Sequence, residues 1–347
     1  MRIGIAGTGR IGAYHANTLR NLDVVDEVVL ADAFPETAQR VAGELGLQAV
    51  ESVDALLDSG LDGLVVASPT TTHESLIRAG VAAGIPTFCE KPVAASLDSA
   101  LALAEVERAS TVPIHIGFQR RFDAGYMRAH EAVANGELGF VHTVRAMTLD
   151  TAPPPKEYVE VSGGIFRDCS IHDFDIIRFV TGREVSSVCA FGANKGAPYI
   201  KTAGDVDTGS GVFMLDDDTI VSFSCSRHNA FGHDVRMEVH GSTGDIAVGL
   251  DDTLALTSAE PDATFPAGPR VMSFMDRFLP AYVRELTAFV EVVQGTRPSP
   301  CTVHDGVQAQ RMAEACDLSR REGRVVQMSE IPDVADDVQA EASGSAV

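Results

Sequence analysis

Met1-Arg2-Ile3-Gly4-Ile5-Ala6-Gly7-Thr8-Gly9-Arg10-Ile11-Gly12 is the stretch whose reading decides the fold. Arg2–Ala6 reads as a short buried strand, and Ile11–Leu22 reads as an amphipathic helix. Between them lies a GxGxxG pattern. Glycine-rich turns are common, so the six positions alone say little. Here they follow a predicted strand and open a predicted helix, and Asp32 stands about 20 residues further on, at the end of the next predicted strand, Val28–Ala31. In that context the first glycine makes a tight turn, the second lets the backbone approach a pyrophosphate, and the third lets helix and sheet pack closely. The helix N-terminus offers free N–H groups to the anionic bridge. A carboxylate at Asp32 accepts from ribose hydroxyls and repels a 2′-phosphate, which favours NAD over NADP.

Working outward, the βαβ logic continues through roughly the first 120 residues. Leu64–Ala67, Thr87–Cys89 and Pro113–Gly117 read as buried strands; Glu36–Leu45, Thr72–Ala83 and Leu97–Ala109 read as helices. Past residue 123 the texture changes. A helix over Ala124–Ala134 precedes a strand near Val141–Leu149, a loop with Pro153-Pro154-Pro155, and a helix at His172–Val180. Alternating stretches follow at Ser187–Gly192, Gly209–Leu215, Thr219–Cys225, Arg236–His240 and Asp245–Gly249, separated by turn signals such as Asp216-Asp217-Asp218, as in an antiparallel sheet. Helices near Pro280–Gln294 and Val303–Glu322 close the fold. The expected architecture is α/β: a Rossmann parallel sheet over 1–122, a second α/β domain with a large open, mostly antiparallel sheet over 123–328, and an acidic flexible tail over 329–347.

Composition excludes several classes of partner. Across 347 residues, 27 Lys plus Arg stand against 49 Asp plus Glu, a formal net charge of -22. A field of that sign repels phosphate backbones and anionic headgroups, so nucleic acid and membrane surfaces are not expected partners. No apolar run is long enough to span a bilayer, and the Gly-rich start does not read as a signal peptide. The 6 cysteines form no CxxC pair and read as reduced thiols of a cytoplasmic protein.

Two further segments carry chemistry. Ser68-Pro69-Thr70-Thr71-Thr72-His73 and Phe88-Cys89-Glu90-Lys91-Pro92 lie at the carboxyl ends of predicted parallel strands, where open α/β sheets bind ligands. A lysine there can steady a developing oxyanion. The second is Gly163-Gly164-Ile165-Phe166-Arg167-Asp168-Cys169-Ser170-Ile171-His172-Asp173-Phe174-Asp175. On one continuous helix Asp168, His172 and Asp175 would share a face. Carboxylate, imidazole and carboxylate together suit proton abstraction from an alcohol during hydride transfer, one carboxylate orienting the imidazole. No further ligand has a recognisable spacing for a metal, so none is expected. His115, on an apolar strand, reads as a packed core residue.

These residues together resemble the glucose–fructose oxidoreductase/inositol dehydrogenase/rhizopine catabolism (Gfo/Idh/MocA) family, from Met1 to about Gln327. The resemblance is carried by Gly7–Gly12 continuing to His15, by Ser68-Pro69-Thr70…His73, by Cys89-Glu90-Lys91-Pro92, and by Gly163-Gly164…Asp168…His172…Asp175. The dehydrogenase subgroup is suggested by Gly117–Asp123, Pro153-Pro154-Pro155…Tyr158, and Asp276-Arg277-Phe278…Ala281-Tyr282. It implies that Gly7, Gly9, Arg10, Ile11, Gly12, Asp32, Ser68, Pro69, Thr70, His73 and Glu90 hold NAD. Lys91 would hydrogen-bond the reacting hydroxyl, and Asp168 and His172 would complete the triad. Arg121, Asp175 and Tyr282 would hold other ring hydroxyls. The implied substrate is a small polyol, foremost the cyclitol myo-inositol, oxidised to 2-keto-myo-inositol (scyllo-inosose). A pyranose, anhydrosugar or aminocyclitol is the alternative, an NAD-dependent glycosidase or non-catalytic NAD sensor a more distant one. A homo-oligomer, a tetramer paired through the open sheet, is implied as well. The chain departs from the subgroup at His233, where a tyrosine is expected, at Leu149-Asp150-Thr151, and at Cys169, whose thiol would make the enzyme sensitive to oxidation. His233 and Leu149 would reshape the far wall of the pocket.

Overall fold

The computed structural model describes residues 1–263 and 268–334. Strands β1 (Arg2–Ala6), β2 (Glu27–Ala31), β3 (Gln48–Ala49), β4 (Gly63–Val66), β5 (Thr87–Glu90) and β6 (Ile114–Gly117) form a parallel six-stranded sheet in the order β3-β2-β1-β4-β5-β6. Its central strands are buried on both faces, so they read as near-continuous apolar runs rather than alternating ones. Helices α1 (Arg10–Leu19), α2 (Pro35–Leu45), α3 (Val53–Leu57), α4 (His73–Ala82) and α5 (Leu97–Ala109) cover it. The strand order reverses between β1 and β4, and ligands of such sheets sit in the crevice at that switch point. The short pieces β3 and α3 carry too few apolar positions to show a period, and the sequence reading passes over them.

A 3₁₀ turn at Gln119–Phe122 leads to α6 (Ala124–Ala134), whose first turn is capped by Asp123. Then follow β7 (Val141–Leu149), α7 (Lys156–Val159), α8 (Ile165–Asp168), α9 (Ile171–Thr181), β8 (Val185–Ala193), α10 (Pro198–Thr202), β9 (Thr208–Leu215), β10 (Ile220–Ser226), β11 (Asp234–Gly241) and β12 (Asp245–Val248). α11 (Phe274–Val293), α12 (Val303–Glu322) and β13 (Val326–Gln327) complete the order. The second sheet has seven strands in the order β12-β11-β7-β10-β9-β8-β13, antiparallel except that β10 runs parallel to β7. On β9 and β10 burial alternates residue by residue. One face packs on α9 and α12; the other carries Phe191, Val212 and Ile220 into solvent.

Three sequence expectations change. The segment from Asp168 to Asp175 is not one helix: α8 ends at Asp168 and α9 starts at Ile171, so Asp168 does not share a helical face with His172. α11 begins at Phe274 rather than at Pro280, because Ser273 Oγ caps it by accepting from the Asp276 N–H at 3.3 Å. Pro280 then sits inside the helix and omits one backbone bond. The tail does not start at 329: Ile331 is buried, and Arg311 on α12 donates to the carbonyls of Met328, Ile331 and Pro332. The remainder of the expected tail, 335–347, lies outside the described residues.

α11 and α12 tie the two sheets into one body. Leu286, Phe289 and Val290 of α11 enter the apolar cluster of the parallel sheet. α12 packs on α5 and β6 as well as on α9 and β8. Among the described residues no helix is long and apolar enough to cross a membrane.

Candidate active site

The first glycine turn is built as a cradle. Gly7 has φ +97°, and a Cβ there would lie 2.6 Å from the Ser68 backbone; a Cβ on Gly12 would overlap the Gly7 carbonyl oxygen. Both positions therefore exclude a side chain. Gly9, by contrast, faces open space and caps α1 without any side-chain bond. No acidic residue lies in the first turn of α1, so its N–H groups stay free for an anion. Asp32 Oδ2 accepts from the Thr8 N–H (2.7 Å) and hydroxyl (2.9 Å), and Oδ1 from the Phe34 N–H (3.0 Å). That fixes the carboxylate at the end of β2, beside the glycine turn. Ile11 lies in the first turn of α1, and the Arg10 guanidinium sits 5.1 Å from the centre of the Phe274 ring. These residues fit a dinucleotide.

The neighbouring loops are cross-tied. The Ser68 and Thr72 hydroxyls are 2.6 Å apart, and Pro69 leads into the 3₁₀ turn Thr70–Thr72. His73 places Nδ1 2.8 Å from the Pro92 carbonyl and Nε2 3.0 Å from that of Ser68. His15 Nε2 lies 2.6 Å from Glu90 Oε1, joining α1 to the end of β5 just before Lys91. Tyr282 on α11 packs its ring against Tyr14 and His15. Burial, with Glu90 and Glu285 nearby, pushes its phenol up.

Lys91 Nζ donates to the Asp168 carbonyl at 3.1 Å and lies 3.8 Å from its Oδ1. The same carboxylate accepts from the Tyr158 hydroxyl on Oδ1 at 2.7 Å and from Arg227 on Oδ2 at 3.1 Å. Tyr158 and Arg227 have no assigned role in the sequence reading, and no sequence signal marks Arg227, because its burial, which calls for a carboxylate partner, appears only in the fold. His172 does not receive the orienting carboxylate expected of it: its Nδ1 is buried without a partner, and its ring meets Phe118 edge-on. Burial holds its pKa well below the ordinary histidine range, and the Lys91 ammonium adds to that. The imidazole is therefore neutral at pH 7 and able to take a proton. Cys169 is buried, and burial raises its thiol well above the usual range, which leaves it a poor target for oxidants.

Arg121 and Asp175 depart from their expected role on substrate hydroxyls. Asp175, with no exposed surface, accepts from Arg121 at 2.6 and 2.9 Å, and Arg121 also meets Asp305 at 3.0 Å. They join α9, α12 and the Gln119–Phe122 turn as a buried ion network.

Family models match both halves: an oxidoreductase family with an NAD-binding Rossmann fold over 1–118, and the GFO/IDH/MocA C-terminal domain over 126–247. The chain belongs to the Gfo/Idh/MocA family. It is an NAD-dependent dehydrogenase acting on a CH–OH group. This oxidoreductase is 37% identical to a myo-inositol dehydrogenase of Streptomyces leeuwenhoekii, over 94% of this chain and 99% of that protein. It is 34% identical to the myo-inositol 2-dehydrogenase of Thermotoga maritima, over 95% and 99%. Its fold matches the crystal structure of scyllo-inositol dehydrogenase from Lactobacillus casei with bound NAD(H) and scyllo-inositol, at a TM-score of 0.85 and 28% identity over 95% of this chain and 99% of that one.

Proposed function

We propose that this enzyme oxidises a secondary hydroxyl of a cyclitol, foremost myo-inositol to 2-keto-myo-inositol (scyllo-inosose), with Lys91, Asp168 and His172 carrying the chemistry. The observation that carries the reading is an ammonium held against a carboxylate beside a buried, neutral imidazole whose Nδ1 has no partner. The Gly7–Gly12 turn and Asp32 would hold NAD, which would supply the hydride acceptor. Lys91 donates to the reacting hydroxyl oxygen and steadies the negative charge that grows there. His172 takes the hydroxyl proton. Asp168 keeps the ammonium in place, and Tyr158 and Arg227 keep Asp168 in place. Similarity to the inositol dehydrogenases supports the substrate class.

The active form in this reading is a homo-oligomer, a tetramer paired through the outer face of the seven-stranded sheet, where Phe191 is 70% exposed. NADH formation with NAD across myo-inositol, scyllo-inositol, D-chiro-inositol, glucose, xylose and levoglucosan tests the substrate, with Lys91→Ala as control. A myo-inositol rate far above the others, abolished in the variant, is expected. Turnover of a pyranose with silence on every cyclitol would overturn it.

A further inference from the structure

β9 and β10 pair antiparallel with Thr208 opposite Ser226, so the residues just outside that pair meet as well: the Arg227 N–H donates to the Asp207 carbonyl at 2.8 Å. Two residues before Asp207, Asp205 faces the other end of the same arginine, its Oδ2 3.9 Å from Arg227 Nη2. The Arg227 side chain is 1% exposed and that of Asp205 9%, so water screens the pair little. The Asp205 backbone is pinned: its N–H donates to the Ile200 carbonyl at 3.1 Å, and its carbonyl accepts from Asn194 Nδ2 at 3.0 Å. Burial pushes its carboxyl up, against the pull of the Ile165 and Val206 N–H groups and of Arg227 and Arg320.

The other oxygen, Oδ1, accepts from the Ile165 N–H at 3.0 Å, at the first residue of α8. α8 is a single turn, and its last residue is Asp168, which accepts from Arg227 Nη1. A ring of contacts therefore closes around this helix: Asp205 to Ile165, one turn to Asp168, across to Arg227, and back to Asp205. One helical turn does not hold its shape unaided. This one is entered through Gly163 and Gly164 at φ +79° and +93°, and a Cβ on Gly164 would stand 3.1 Å from Asp205 Oδ1. Arg227 bonds Asp168 through Nη1, while its Nε and Nη2 are buried with no hydrogen-bond partner. A one-point contact leaves a guanidinium plane free to turn, unlike a bidentate one. The Asp205 charge fixes the side that Nη2 faces. We propose that Asp205 is a positioning residue for hydride transfer: it holds the first N–H of α8 and the guanidinium of Arg227, and through them sets Asp168 against Lys91. The inference rests on the reading that Lys91 and Asp168 carry the chemistry, and it adds a residue outside every motif named above.

The test measures kcat with myo-inositol and NAD affinity by calorimetry for the full-length enzyme. The variants are Asp205→Asn, Asp205→Ala, Arg227→Met and the double variant Asp205→Asn with Arg227→Met; NAD binding shows that each folds. Asp205→Asn keeps an acceptor for the Ile165 N–H and removes the charge opposite Arg227, so kcat should fall about 10-fold with NAD affinity unchanged. Asp205→Ala removes both contacts and should lose about 10²-fold. On top of Arg227→Met, Asp205→Asn should cause no further loss, because its route to Asp168 is already gone. Wild-type kcat in both Asp205 variants, a loss matched by an equal loss of NAD affinity, or the full 10-fold loss repeated in the double variant would overturn the proposal. Should no polyol be oxidised, the function reading fails by itself, and amide hydrogen exchange at Ile165 and Asp168 still decides the role of Asp205. Exchange there should quicken in Asp205→Ala; unchanged exchange would overturn the positioning role.

Discussion

In the proposed mechanism Lys91 and His172 have different roles, and their variants test them. Lys91→Ala would remove the proposed donor to the reacting oxygen and His172→Ala the proposed proton acceptor; each should lower kcat by roughly 10²- to 10⁴-fold with NAD affinity unchanged, read by steady-state kinetics and by calorimetry. Tyr158→Phe deletes one bond to Asp168 and should cost about 10-fold in kcat/KM. Cys169 has the opposite expectation from its place in the sequence. It lies beside the catalytic carboxylate, yet burial keeps its thiol protonated and covered. Native enzyme treated with dilute peroxide should therefore keep the activity of Cys169→Ser, and preferential inactivation of the wild type would refute this.

At the scale of elements, α1 and α11 carry the sharpest consequences. The Gly12 Cβ clash is with the Gly7 carbonyl, which is backbone and cannot swing away. Gly12→Ala should thus weaken NAD binding measured by calorimetry by at least 10-fold, roughly what a displacement costing about 1.4 kcal/mol produces. α11 buries Glu285 entirely, with neither carboxyl oxygen partnered. Burial, then the Glu90 charge, pushes its pKa well above the ordinary carboxyl range. An acid protonated when folded and ionised when unfolded stabilises fully below its unfolded pKa and progressively less as pH rises, by about 1.4 kcal/mol per pH unit. Glu285→Gln keeps the shape without the titration. Its gain in Tm over the wild type should grow between pH 5 and pH 8; a constant difference would refute this.

The whole molecule answers to pH from the other side as well. Burial lowers His115 to about 3 and His172 well below the ordinary range. Both are neutral when folded and gain a proton near pH 6.5 when unfolded, so their stabilisation is complete above that pH and is lost as pH falls below it, by up to about 1.4 kcal/mol per unit for each. Chemical denaturation between pH 7 and pH 5 should show it, and His115→Asn should flatten the slope. The assembly is testable in the same samples. Light scattering at micromolar concentration should give a tetramer mass; a monomer would refute pairing through the sheet. With a net charge of -22, that assembly should tighten as salt rises.

The glycine turn, Asp32, the order of strands and helices, Lys91 and the family were legible in the sequence, because each is written in local terms: period, cap, glycine spacing, and residue type at a strand end. α5, α6, β7 and α12 were read to the residue for the same reason. The grouping around Asp168 was not. The Asp175–Arg121 pair, the Arg227–Asp168 contact and the Asp150–His233 pair each join residues far apart in the chain. Which carboxylate meets which cation is settled by strand register and helix packing, since a charge leaves water only where the fold has already placed its partner. Sequence alone determined the cofactor and the lysine at the end of β5; the tertiary structure decided which neighbours hold that lysine, because those contacts are set by packing between distant segments.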